Sequence, residues 1–186
     1  MKRYVLVHAV SINNRSEEEP VLLVRKEKPD WQKGFLNLVG GSVEANELPE
    51  HAAVRELFEE SGLTPYPQDW QKDKVTVVEM GRIVGENETV HCFHIFVSDA
   101  PLNPRVEEIE TVRWFSWRQV KDDARLLPSL RVVMPLMLCG VHDWQVTVVE
   151  SFMNKTANTV YLTVPSNKHR RFKHNPVVTK ILAGDD

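Results

Sequence analysis

The sequence predicts one mixed α/β (α+β) domain. Three observations lead there. The chain has 186 residues, of which 42% are hydrophobic and 26% charged, the size and balance of one ordinary globular domain. Short β-branched runs are interspersed with segments of helical period, as expected when helices pack on a mixed sheet. No repeat, low-complexity tract or clear linker divides it. The expected domain is therefore 1–186, ending in a basic tail at about 166–186.

Residues 2–10 alternate and are rich in β-branched side chains, which predicts a first strand. Their charged start and apolar core resemble a leader only superficially, because no small-residue cleavage site follows and polar Asn13-Asn14-Arg15 come next. Residues 11–20 read as a polar loop. The apolar run Val21–Val24 reads as a buried strand, 28–34 as a loop and 35–39 as a short strand. A helix follows. Asn46 is the expected N-cap and Pro49 suits the first turn. Leu48, Ala52, Ala53, Leu57 and Phe58 form the expected apolar face. Gly62 is the expected left-handed C-cap, and Pro65 and Pro67 bar continuation.

Strands are expected at 75–84 and 89–97, joined by a turn at Gly85-Glu86-Asn87. A proline-containing loop at 100–105 and the acidic segment Glu107-Glu108-Ile109-Glu110 lead into a strand at 112–115. Residues 117–125 and 129–139 read as helices, and 146–149 with 159–164 as a closing hairpin.

Composition excludes several classes. No apolar run approaches the ~18–20 residues that span a bilayer. Cys92 and Cys139 lack paired spacing, which points to a reducing compartment and a cytoplasmic protein. The net charge of −3 provides no global basic field for nucleic acid. The one basic cluster, 168–174, reads either as a solvated tail or as a phosphate- or RNA-touching one. His91, Cys92 and His94 look like a zinc cluster on paper. On a strand, however, an odd separation sends the two histidines to opposite faces. Trp114, Phe115 and Trp117 read as sheet and core packing. Whether the chain is a monomer or a homodimer stays open.

The predicted helix carries the chemistry. Glu56, Glu59 and Glu60 are spaced by three and four, so they crowd one side of it. Such like-charge pairs cost a few tenths of a kcal/mol each, roughly, and Arg55 can relieve part of this by pairing with Glu59. By spacing alone the cluster is either a solvated acidic face or a seat for a hard cation. Oxygen ligands select magnesium, manganese or calcium over zinc. Magnesium commonly takes one or two carboxylates together with substrate phosphates. The glycine pair Gly40-Gly41 permits close backbone approach.

The stretch Gly41, Glu47, Arg55-Glu56-Leu57, Glu59-Glu60, Gly62-Leu63 resembles the Nudix box at every specified position. The flanking strand order is similar to a Nudix fold, a mixed central sheet sandwiched between helices, over 2 to about 164. The resemblance implies a hydrolase that cuts a nucleoside diphosphate linked to another moiety, using Mg2+ with Mn2+ able to substitute. It implies Glu56, Glu59 and Glu60 as metal-ligand and base positions, with Glu56 the expected base. It also implies Gly40 as a carbonyl ligand, Arg55 as the residue orienting the glutamates, and Glu47 as their outer support. A further acidic ligand is expected from the loop before Trp114; Glu108 is favoured over Glu107 and Glu110, with a plain acidic turn as the alternative. Arg25 resembles a phosphate-contacting residue, or is simply an exposed strand end.

Substrate markers favour MutT-like nucleoside-triphosphate pyrophosphohydrolases, including those that sanitise oxidised purines. Glu79 stands where ADP-ribose pyrophosphatases often have a proline. Met80-Gly81-Arg82 stand where diadenosine polyphosphate hydrolases often have a tyrosine. Asn37, four residues before Gly41, resembles a base-reading asparagine, and an amide can both donate and accept; a turn-forming role is the alternative. The segment 126–138 resembles a pocket-lining helix, with Leu130 and Met134 expected against substrate. Ser129-Leu130 replace an aspartate pair there, so a pocket for 8-oxoguanine built on two carboxylates is not expected. ADP-ribose or another nucleoside-diphosphate derivative is the alternative substrate. An inactive nucleotide-binding module is the alternative of another class, disfavoured because every box glutamate is present.

Overall fold

The computed structural model describes residues 1–11, 19–66, 77–97, 111–150, 158–163 and 179–182. Its elements run β1 (Lys2–Ser11), β2 (Pro20–Arg25), β3 (Leu36–Leu38), α1 (Pro49–Ser61), β4 (Val77–Val84), β5 (Glu88–Val97), β6 (Thr111–Ser116), α2 (Trp117–Val120), α3 (Pro128–Leu138), β7 (Trp144–Glu150), β8 (Asn158–Thr163) and β9 (Thr179–Leu182). A mixed sheet has the order β1-β5-β4-β7-β8-β9, and a smaller antiparallel sheet has the order β3-β2-β6. No described helix is long and apolar enough to cross a membrane.

Helices cover both faces of the large sheet, as the sequence predicts. Strand alternation divides the core in two. Val5, Val7 and Ala9 of β1 and Phe93 and Ile95 of β5 face α1, where they meet Ala52, Ala53 and Leu57. Leu6, Met80, Cys92, Trp144 and Val146 face the other way, toward Leu130, Val133, Met134 and Met137 of α3. The smaller sheet contributes to both cores. Val21 and Leu23 join the α3 side, while Leu22 and Val112 join the α1 side.

α1 begins at Pro49, but its N-cap is Leu48 and not Asn46. Asn46 lies in the preceding turn at φ 64°, a left-handed conformation that asparagine tolerates better than most residues. Gly62 closes the helix at φ 74°, its N–H donating to the Phe58 carbonyl at 2.8 Å. The buried face is narrower than its apolar pattern. Leu48 and Phe58 are 51% and 42% exposed, and Glu60 and Ser61 are buried instead.

Other differences have local causes. The turn at 85–87 forms as expected, closed by Gly85 N–H donating to Glu88 O. The helix expected over 117–125 stops at Val120. Beyond it the Asp123 side chain accepts from the Arg125 backbone N–H at 2.8 Å, an Asx turn that competes with helix. Trp117 is core, with Phe115 packed against that core and Trp114 against the other. β9 had no counterpart in the sequence reading. The acidic segment 107–110, with Glu108, and the basic cluster 168–174 lie outside the described residues.

Candidate active site

The hairpin of β2 and β3 delivers the chain to Gly40, which lies edge-on against β1. Val7 N–H donates to Val39 O, and Val5 N–H donates to Gly41 O. A Cβ on Gly40 would lie 2.1 Å from the Val5 carbonyl oxygen, so only glycine permits this approach. A Cβ on Gly41 would lie 2.5–2.6 Å from the Glu56 carboxylate. The bare Gly41 backbone is thus the wall of a cradle that the Glu56 carboxylate fills.

Arg55 organises the acidic side of α1. Its Nε and Nη2 grip the two Glu47 oxygens, each at 3.0 Å. Nη1 donates to Glu56 Oε1 at 2.8 Å and Glu59 Oε2 at 3.0 Å, and Nη2 also donates to Ser42 O at 2.9 Å. All five N–H bonds of the guanidinium are therefore engaged. This bears out the expected pairing of Arg55 with Glu59. Glu47 in turn accepts from Glu44 N–H at 2.9 Å, which ties the loop before α1 to the same network. Hydrogen bonding to Arg55 holds the Glu47 carboxyl below its ordinary range and pushes the guanidinium up. Burial raises the Glu56 carboxyl, with Arg55 opposing.

Of Glu47, Glu56, Glu59 and Glu60, the last is the most deeply buried. It is 6% exposed. Its Oε2 accepts from Gly40 N–H at 3.0 Å, and its Oε1 pairs with Lys26 Nζ at 3.3 Å. Lys26 is the residue the sequence reading missed. Arg25 and Lys26 are adjacent, so alternation sends them to opposite faces. Arg25 follows the parity of Val21 and Leu23 and is exposed on the α3 side; Lys26 follows Leu22 toward α1. That parity was the available signal.

The proposed substrate residues do not come together. Asn37 is buried, and its Oδ1 accepts from Leu38 N–H at 2.8 Å. It pairs with Val24 on the α1-facing side of β3, opposite Leu36 and Leu38. Leu130 and Met134 are fully buried in the other core, so they pack the interior and do not line an open surface.

His91 and His94 lie on opposite faces of β5, as strand alternation predicts. His91 Nδ1 lies 2.8 Å from Glu79 Oε1, which also pairs with Arg82 at 2.7 Å. His94 packs edge-on against His8 on the opposite face, ring centroids 4.8 Å apart.

The site's donors suit a hard cation. Glu47, Glu56, Glu59 and Glu60 face two cations, Arg55 and Lys26, so these six groups carry a net charge of two negatives. As they stand, among the described residues no three acidic, imidazole or thiol groups converge on one point; the glutamates are held by protein cations instead. The oxygen-only set and the Gly41 cradle fit Mg2+ or Mn2+. A Gly41→Ala chain should keep its fold but displace the Glu56 carboxylate, since the clash is with a flexible side-chain end. Its kcat/KM is expected to fall by about 10- to 100-fold with an unchanged circular dichroism spectrum; activity equal to wild type would refute the cradle.

Residues 2–137 match the family model described as the NUDIX domain. An ADP-ribose pyrophosphatase from Methanocaldococcus jannaschii is 42% identical over 67 residues, covering 35% of this chain and 40% of that protein. An 8-oxo-dGTP diphosphatase from Escherichia coli is 39% identical over 51 residues, covering 27% and 40%. The chain thus spans less than half the length of either relative. The mutator MutT protein from Bacillus halodurans superposes with a TM-score of 0.58 at 16% identity, over 80% of this chain and 89% of that one, a likeness of fold.

Proposed function

The chain belongs to the Nudix family, and from that premise we propose that it is a divalent-metal-dependent hydrolase converting a nucleoside triphosphate and water to a nucleoside monophosphate and pyrophosphate. The observation that carries this reading is the Glu56 carboxylate seated against Gly41, with Glu59 and Glu60 on the same helix and Arg55 fixing the first two. Mg2+ is the proposed cofactor, with Mn2+ able to replace it. Glu56, Glu59, Glu60 and the Gly40 carbonyl would hold it, joined by Glu108 from outside the described residues. Bound there, such a cation would polarise phosphoryl oxygens and acidify water.

The chain's own residues supply the rest. Glu56 is the proposed acceptor of the proton from the attacking water; burial already raises its carboxyl, which makes it a better base. Arg55 keeps Glu56 and Glu59 apart and oriented. Glu47 holds Arg55 by a two-bond fork, the kind of outer support on which metal sites depend.

An oxidised purine nucleotide is one candidate triphosphate, in line with the 8-oxo-dGTP diphosphatase relative. A second reading, cleavage of ADP-ribose or another nucleoside-diphosphate derivative, has its own support in the ADP-ribose pyrophosphatase relative. Product analysis separates them. A panel of canonical and oxidised nucleoside triphosphates and ADP-ribose, incubated with Mg2+, is expected to give monophosphate and pyrophosphate from a triphosphate. AMP and ribose phosphate from ADP-ribose, with the triphosphates untouched, would replace the first reading by the second.

A further inference from the structure

We propose that Lys26 is the resident counter-ion of the glutamate site, holding Glu60 while no metal is bound and yielding it when a divalent cation arrives. The inference rests on the metal-dependent reading above and adds a positioning residue to it. Glu60 is 6% exposed, and a carboxylate so deeply buried needs a cation or must neutralise. Arg55 does not serve it, because its five N–H bonds go to Glu47, Glu56, Glu59 and Ser42. Lys26 Nζ pairs with Glu60 Oε1 at 3.3 Å, with side-chain exposures of 13% and 7%.

The chemistry of the pair suits exchange. Arg55 is a planar fork committed to four partners. Lysine is a point charge on a flexible four-carbon stem. The Lys26 backbone is fixed by its N–H donating to Phe35 O at 2.9 Å, so the ammonium can swing while the hairpin stays. A divalent cation and an ammonium repel strongly across one carboxylate. Glu60 Oε2 accepts from Gly40 N–H at 3.0 Å, a bond that an exchange of partner on Oε1 need not break. Lys26 thus offsets the buried Glu60 charge, and its release couples metal arrival to a newly available cation at the β2–β3 hairpin.

The test uses Mn2+ alone, without nucleotide, on the whole chain. Removing an internal competitor should tighten metal binding, so Lys26→Met is expected to bind Mn2+ about fivefold more tightly than wild type or better, whereas Lys26→Arg, which keeps a cation, stays near wild type. In chelator Lys26→Met should melt below wild type, and saturating Mn2+ should close the gap. Equal or weaker Mn2+ binding by Lys26→Met overturns the proposal. If that variant does not fold in chelator, the wild type decides. Its Lys26 ε-ammonium 15N resonance, identified by its loss in Lys26→Arg, should shift on Mg2+ titration, and an unmoved resonance overturns the proposal. Failure of the wild type to bind any Mn2+ would instead defeat the metal reading itself.

Discussion

A Glu56→Gln chain is expected to lose about 10²- to 10⁴-fold in kcat/KM while remaining folded and close to wild type in Tm. The two halves of this expectation have one cause. Glu56 lies against Gly41, where a Cβ would reach its carboxylate at 2.5 Å, and burial disfavours its charged form. A neutral amide of the same shape removes that desolvation cost. Its oxygen can still accept from Arg55 Nη1, now 2.8 Å from Glu56 Oε1, so the metal-free fold loses little. What the amide cannot do is accept a proton from water or give a hard cation an anionic oxygen. Steady-state kinetics beside a thermal melt tests both halves. A folded variant with near-wild-type kcat/KM would remove Glu56 from the chemistry.

Arg55→Lys should be damaging despite conserving charge. Kinetics with thermal melts would show kcat/KM down by about 10- to 100-fold and stability down by about 1–3 kcal/mol. Arg55 makes five hydrogen bonds to four residues from one planar group. Lysine has three donors on one nitrogen, so it cannot grip both Glu47 oxygens while spanning Glu56 and Glu59. The loop from Ser42 to Glu47 would lose its anchor, and Glu56 and Glu59 would repel without a wedge. Wild-type activity in the Arg55→Lys chain would reduce Arg55 to a surface ion pair.

The helix was legible because its signals are local. Pro49 opens it, Gly62 closes it, and Arg55 pairs with Glu59 one turn away. The strands up to Val97 were legible from alternation and from short apolar or β-branched runs, and the turn at 85–87 from Gly85-Glu86-Asn87. What failed depends on which face an element presents. Arg25 and Lys26 are neighbours of the same charge sign, and the parity that sends them to opposite faces does not by itself tell which face meets α1; the two cores settle that. The spacing of Glu60 puts it beside Glu56 on the helix, but not in the interior; its burial follows from how closely the β3–Gly40 segment approaches. Phe58 fits an apolar stripe in sequence and is exposed because α1 meets the sheet through the small Ala52 and Ala53 and through Leu57. Asn37 lies apart from Leu130 and Met134, because alternation along β3 puts it on the opposite side from α3.

On the function proposed above, the carboxylate face of α1 hydrolyses a phosphoanhydride with a divalent cation. Phosphorus NMR of the nucleotide panel with the wild-type chain, in Mg2+ and again in excess chelator, tests it most directly. Cleavage of at least one nucleoside-diphosphate derivative is expected in Mg2+ and none in chelator. Cleavage undiminished by chelator, or no cleavage of any panel member by the folded protein in Mg2+, would contradict it.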